Sequence, residues 1–189
     1  MSLTPEFEIS LWNAWIFIFP FLILSVVGYR ILGKRGSGGI SGHTKKEKML
    51  ESIGMVTVFV FWAYSVFLPL KLGTFWFYAG LLVYLLGMLV VVLALLSFHT
   101  TPVDKPVTKG VYHISRHPMY VGEILLDVSI SIACLSWIFL LLAIIEVILE
   151  SHIATAEERT CLNQYGDAYR EYMNRTPRWI GIPKTEKTD

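Results

Sequence analysis

The feature that most constrains this chain is a series of long stretches without a formal charge. Ile9 to Tyr29 is a run of 21 residues, and Ser52 to Leu70 one of 19, lacking Asp, Glu, Lys and Arg; Leu72 to Val103 lacks them as well. About 20 apolar residues at 1.5 Å rise cross a hydrocarbon core, so each run predicts a transmembrane helix. Hydrophobic residues make up 54% of the sequence and charged ones 16%, which excludes an ordinary soluble domain. At 189 residues the chain is read as a single domain, 1–189, with three N-terminal spans over 1–100. The first run follows Glu6 and Glu8 rather than a basic leader and lacks a small-residue cleavage site, so it is expected to be retained. Cys134 and Cys161 are too few for a disulfide framework or a cysteine metal site.

From Met119 to Tyr165 the pattern is less regular, because Glu123, Asp127, Glu146 and Glu150 interrupt the apolar residues. Basic residues resolve it. Arg30, Lys34, Arg35, Lys45, Lys46 and Lys48 follow the first span, and Lys105, Lys109 and Arg116 follow the third, so both loops belong on the cytoplasmic side. Arg159, Arg170, Arg175, Arg178, Lys184 and Lys187 put the tail there too, which requires an even number of crossings between Arg116 and Arg159. The prediction is an all-α polytopic protein with five transmembrane helices. Its last two form a helical hairpin with legs of about 15 residues turning near Cys134, Leu135 and Ser136, with the N-terminus outside and the C-terminus cytoplasmic. Gly33 to Thr44 reads as a flexible linker.

Ionisable groups at membrane depth are costly and normally face a polar cavity or a partner. Glu146, Glu150 and Glu157 fall within about 40° of arc on one helix, a stripe running from mid-membrane to the cytoplasmic end. The alternative is that these acids only pair with Arg116, His152 or Arg159. Before them, Thr101 to Tyr120 is a Pro-rich polar segment suited to an ordered lip over a cavity, with Pro118 placed for the first turn of a helix. His113 and His117 are four apart, but Pro118 breaks the helix that such a metal pair needs, so no metal site is expected. In the fourth span, the small residues Gly122, Ser129, Ser131 and Ala133 either leave a gap towards lipid or serve close helix packing.

Gly110-Val111-Tyr112, then Arg116-His117-Pro118-Met119-Tyr120, then Glu157-Glu158, and finally Tyr165-Gly166-Asp167-Ala168-Tyr169 through Tyr172 to Arg175-Thr176-Pro177 form a long ordered pattern. This pattern resembles the isoprenylcysteine carboxyl methyltransferase and phospholipid methyltransferase superfamily of integral membrane enzymes. The resemblance covers about the last 80 residues. It implies S-adenosylmethionine as cofactor, bound at the cytoplasmic end of the last spans under the C-terminal segment. It also implies that Tyr112, His117, Tyr120, Glu157 and Glu158 are cofactor-binding. The chemistry agrees, since a cofactor carrying a carboxylate, an ammonium and a sulfonium needs a basic edge, here Arg116 with His117, and an acidic one. Arg116 and Glu146 are the candidate catalytic residues, Glu146 because it is the deepest member of the stripe and nearest a reacting head group.

The expected acceptor is a lipid or a prenylated small molecule in the membrane; neither nucleic acid nor an obligate protein partner is implied. Members of the prenylcysteine branch commonly carry an Arg shortly before the acidic pair. Here the only potentially cationic side chain between His117 and Glu158 is His152, so the stripe suits an amine better than a carboxylate unless Arg175 or Arg178 folds back from the tail. Two other readings stand beside this one: a nicotinamide-dependent membrane reductase of sterol-reductase-like architecture, and a non-enzymatic protein on the same scaffold. Cysteines introduced at Gly38 and Thr185 are expected to react from the cytoplasmic side, and one at Ser2 from the other. Labelling of Gly38 and Thr185 from opposite faces would leave four spans instead of five.

Overall fold

A computed structural model describes residues 9–33 and 44–183. The labelling positions Ser2, Gly38 and Thr185, and the linker between Gly33 and Thr44, lie outside the described residues. The architecture is all-α, with α1 (Trp15–Gly33), α2 (Lys45–Ser65), α3 (Phe75–His99), α4 (Pro118–Cys134), α5 (Trp137–Tyr165) and α6 (Asp167–Arg175). Among the described residues no strand forms, and Asn13 and Pro69 make an isolated bridge. α3 and α5 are long and apolar enough to cross a membrane, and Trp15–Gly28 of α1 is a shorter apolar helix. α3 presents Leu82, Leu85, Leu86, Leu89 and Leu96 outward, and α5 presents Leu141, Ile144 and Ile148. Water would not tolerate an apolar surface of that extent, whereas lipid does.

The helix starts follow local chemistry. Thr44 and Glu47 form a reciprocal capping box on α2, Thr74 caps α3 by accepting from the Phe77 N–H, and Ser136 caps α5 by accepting from the Phe139 N–H. Pro118 opens α4, where its missing N–H costs nothing. Consecutive helices alternate in direction. At one end the Leu70 N–H donates to Trp12, the Ala14 N–H to Leu68 and the Lys71 N–H to Ala133, gathering the start of α1, the α2–α3 loop and the α4–α5 turn. At the other end Arg159 on α5 grips Glu47 on α2 through its two terminal guanidinium nitrogens, at 2.8 and 2.9 Å.

The hairpin turn contains no Gly or Pro and is nonetheless sharp. Leu135 takes the left-handed conformation at φ 53°, a position usually given to glycine. The Ser136 N–H reaches back to Ser131 and the Leu135 N–H to Ile132, the two bonds of a Schellman ending. The legs are unequal, 17 residues in α4 and 29 in α5, rather than about 15 each. Uncharged length sets only the part of a helix that sits in hydrocarbon, and α5, about 43 Å long, continues through Glu157 and Glu158 beyond that limit.

Packing is tightest between α3 and α4. A Cβ added at Gly80 would sit 2.7 Å from the Ala133 Cβ and the Ser129 carbonyl, and one at Gly122 would sit 2.5 Å from Val91 Cγ2. The small residues Gly122, Ser129 and Ala133 therefore form a close helix seam. Ser131 turns its hydroxyl onto Val128 of its own helix. The alternative of a lipid-facing gap along this part of α4 is excluded, because α3 fills the space. Tyr84 stacks on Phe17 with centroids 4.6 Å apart and donates to the Phe17 carbonyl, fixing α1 to α3, while Phe61 meets Phe139 edge-on between α2 and α5. Gly122→Ala should cost about 1–3 kcal/mol through overpacking. Gly122→Leu should unfold the helix pair and abolish every binding activity together, as thermal melting in detergent will show.

Candidate active site

The lip from Thr101 to His117 is laid across the end of α3 and tied down by the tail. Tyr172 on α6 donates to the Tyr112 carbonyl at 2.6 Å and to Ser115 at 3.3 Å. The Arg116 N–H donates to Pro177 at 3.0 Å, the Gly181 N–H to Ile114 at 3.2 Å, and Ser115 Oγ to the Arg178 carbonyl at 3.3 Å. α6 can turn back only because Gly166 adopts φ 57°, ψ −130°, a conformation that side chains resist. Tyr169 and Tyr172 then bury against Tyr112, Val107 and Ala94 in an apolar cluster of their own.

At the junction of lip, α4, α5 and tail, the sequence-predicted residues converge. Glu158 is buried and meets three cationic side chains: Arg116 Nη2 at 3.0 Å, His117 Nε2 at 3.2 Å and Arg178, whose Nε and Nη2 both donate to it. Burying such a set costs several kcal/mol per ion, and charge-assisted bonds in near-complete coverage offset that cost. Glu157, one residue on, is half-exposed and accepts a hydrogen bond from the Tyr120 hydroxyl at 2.7 Å. His117 caps the start of α4, stacks parallel on Tyr120 with centroids 5.5 Å apart, and has Trp179 at 6.1 Å. Its Nδ1 is 3.6 Å from Glu157. Burial alone would lower the His117 pKa, but the carboxylates of Glu157 and Glu158 outweigh it and raise the imidazole above its ordinary value. Arg116 also donates through Nη1 to the Met173 carbonyl, and its buried Nε has no hydrogen-bond partner.

Two predicted residues lie apart from this junction. The Tyr112 ring packs edge-on against Phe98 in the apolar cluster, so its visible role is to hold the lip through its carbonyl. Glu146 lies deeper along α5, lining a cavity of about 290 Å³ with Glu123, Asp127 and Glu150. Aromatic residues from α1 and α2, Phe17, Phe21, Phe61 and Trp62, complete much of its wall. Arg178 is the member of the junction that motif spacing leaves out. Of the two tail arginines considered for folding back, it is the one that reaches Glu158, and only the position directly after Thr176-Pro177 hinted at that.

Comparison with known proteins adds one result to this geometry. Residues 75–168 match the family described as phospholipid methyltransferase. The chain belongs to this family. No curated protein matches the chain. The phospholipid methyltransferase segment begins with α3, takes in the lip and the whole α4–α5 hairpin, and ends at the start of α6. Arg116, His117, Tyr120, Glu157 and Glu158 all lie inside it, whereas Arg178 and Trp179 approach from outside.

Because the His117 pKa is raised in the fold, its ion pairs contribute fully below its unfolded pKa, about 6.5, and are lost as pH rises through the higher folded value. His117→Asn should therefore cost about 1.5–3 kcal/mol near pH 6, the range for a buried hydrogen bond to a charged group. The difference from the unsubstituted protein should shrink by about pH 9. Denaturation in detergent at the two pH values checks both the size and the sign.

Proposed function

We propose that the chain transfers a methyl group from S-adenosylmethionine to a lipid acceptor at the cytoplasmic face of a membrane. The carrying observation is the family match together with the convergence of Arg116, His117, Tyr120, Glu157 and Glu158 at one end of the hairpin. All five long helices cross the bilayer in this reading, with the N-terminus outside. The alternating helix directions support it, as do the basic residues Arg30, Lys45, Lys105, Lys109 and Arg159 at the lip end against Lys71 at the other.

The donor set fits the cofactor. Glu157, half-exposed and met by the Tyr120 hydroxyl and by His117 Nδ1 at 3.6 Å, still presents a carboxylate to an ammonium from solvent, and Arg116 retains a buried N–H able to serve a carboxylate. His117, Tyr120 and Trp179 supply ring faces suited to a sulfonium and an adenine. When bound, the cofactor supplies an electrophilic methyl carbon on a positively charged sulfur. The protein's part is to align an acceptor with that carbon and to exclude water. Glu158 holds the lip and tail closed over the pocket, Tyr120 orients Glu157, and Glu146 places negative charge at the head of a lipid in the cavity.

Arg178 does fold back, but onto Glu158 at the lip and not into that cavity, whose lining of four acids and no basic residue supports an amine acceptor over a carboxylate. Among the residues given cofactor roles, Glu157 is the sharper test. Glu158→Gln would strand Arg116 and Arg178 and destabilise the fold by about 3–5 kcal/mol. Glu157→Gln should leave folding intact and weaken S-adenosylhomocysteine binding at least about tenfold, or about 1.4 kcal/mol, measured by calorimetry in detergent. S-adenosylhomocysteine should raise the melting temperature of the unsubstituted protein and NADPH should not; the reverse would support the reductase reading.

A further inference from the structure

The tail beyond Arg178 leaves large apolar side chains in the open. Ile180 is 69% exposed and Ile182 92%, and Ile114 on the lip is 47% exposed. The three belong to one patch. Gly181, between the first two, donates its N–H to the Ile114 carbonyl at 3.2 Å, and a Cβ added to it would sit 2.9 Å from Pro177 Cγ. The tail therefore packs inward through Gly181 and turns its isoleucines out.

Depth along the hairpin puts this patch at the boundary of the hydrocarbon from both legs. Lys71, whose N–H donates to Ala133, lies beside the far end of the hairpin. From that end α4 runs back through 17 residues, about 25 Å, to Pro118, and Ile114 lies just before it on the lip. On α5, Thr155 stands 18 residues beyond Trp137, about 27 Å along the helix, and accepts a hydrogen bond from Arg178 Nη1 at 3.2 Å. A hydrocarbon core is about 30 Å thick, so lip and tail meet the bilayer where acyl chains give way to head groups. Direction around α5 agrees with depth. Thr155 is exposed and falls within about 40° of arc of Leu141, Ile144 and Ile148, so it continues the lipid-facing side of the helix. Arg178 is anchored at the foot of that side, and the next residue, Trp179, is of a type enriched at this level of a membrane.

Resting on the reading above in which these helices cross a bilayer, we propose that Ile114, Ile180 and Ile182 seat in the cytoplasmic leaflet, among the acyl chains just under the head groups, and that this lipid contact holds the tail against the lip. Apolar side chains that water would surround gain by burial there. The same short segment carries Arg178 onto Glu158 and Trp179 towards His117, so the cover of the junction has one fastening in the protein and another in the membrane.

The test uses the full chain in nanodiscs of phosphatidylcholine, a zwitterionic lipid that removes net charge attraction as a cause. A bimane fluorophore is attached at Ile182→Cys in a Cys161→Ser background, Cys134 being buried. Nitroxide on the lipid chain next to the head group should quench it at least about threefold more than nitroxide at the chain end or iodide in water, as expected for residues at the head-group boundary. Ile148→Cys, midway along the lipid-facing side of α5, is the control and should be quenched best by nitroxide at the chain end. Ile180→Asp combined with Ile182→Asp should leave thermal melting unchanged, because both side chains are exposed. It should nevertheless speed amide exchange at Gly181 and Arg116, the N–H groups that tie tail to lip, by about tenfold or more. Ile180→Leu with Ile182→Leu should keep that exchange slow. Quenching of the Ile182 probe chiefly by iodide, or exchange in the Asp variant within about twofold of normal, overturns the inference and leaves the helix crossings and the methyl-transfer reading standing. An Ile148 control quenched by iodide rather than by lipid overturns the crossing of α5 and this inference with it.

Discussion

The buried carboxylate of Glu158 is the constraint on which the rest of the site depends. Arg116 reaches it from the lip, His117 from the first cap of α4, and Arg178 from the tail, so one side chain on α5 joins three segments far apart in sequence. A buried anion with this many donors has no satisfactory alternative partner, and removing any one donor leaves part of its hydrogen-bonding capacity unmet. The segments therefore assemble together. Glu157 differs physically although it is the adjacent residue: half out in solvent, it meets only the Tyr120 hydroxyl and, at 3.6 Å, His117, so it can exchange partners at less cost. Adjacent acids thus divide into one that ties lip, tail and helix together and one that stays half in solvent.

A second division runs along the membrane axis. The junction at the lip end is rich in cations and suits a water-soluble, charged ligand. The cavity further down α5 has acids, aromatic rings and no basic residue, and suits the polar end of a lipid. Tyr120, Glu123 and Asp127 recur at three- and four-residue intervals on α4, and Glu146, Glu150 and Glu157 share a face of α5, so the two regions are stations on one helix pair.

Much of this was legible in the sequence, for identifiable reasons. Helices in lipid must satisfy their backbone internally, so uncharged runs mark them well, and the break at Leu135 falls where the count of basic residues required a turn. The RHP-x-Y and Glu-Glu segments come together because both sit at helix positions whose spacing is set by regular geometry. The full length of α5 was less visible, since charges that mark the end of the hydrocarbon do not mark the end of a helix. Arg178 was visible only as one of two options, because an irregular tail has no periodicity from which to predict its return. The role of Gly122 was undecidable from α4 alone, being fixed by Val91 and Gly87 on another helix.

The unequal legs of the α4–α5 hairpin have an evolutionary consequence. A one-residue insertion or deletion within either leg turns everything beyond it by about 100° and shifts it by about 1.5 Å along the axis. Between Met119 and Glu158 such a change would swing the acids of one helix away from those of the other and carry Glu158 out of reach of His117. The lip and the tail, held by side chains and irregular backbone, can absorb a change in length locally. Divergence in this protein is therefore channelled: the hairpin can vary its side chains but hardly its residue count, while variation in length collects in the segments that cover it.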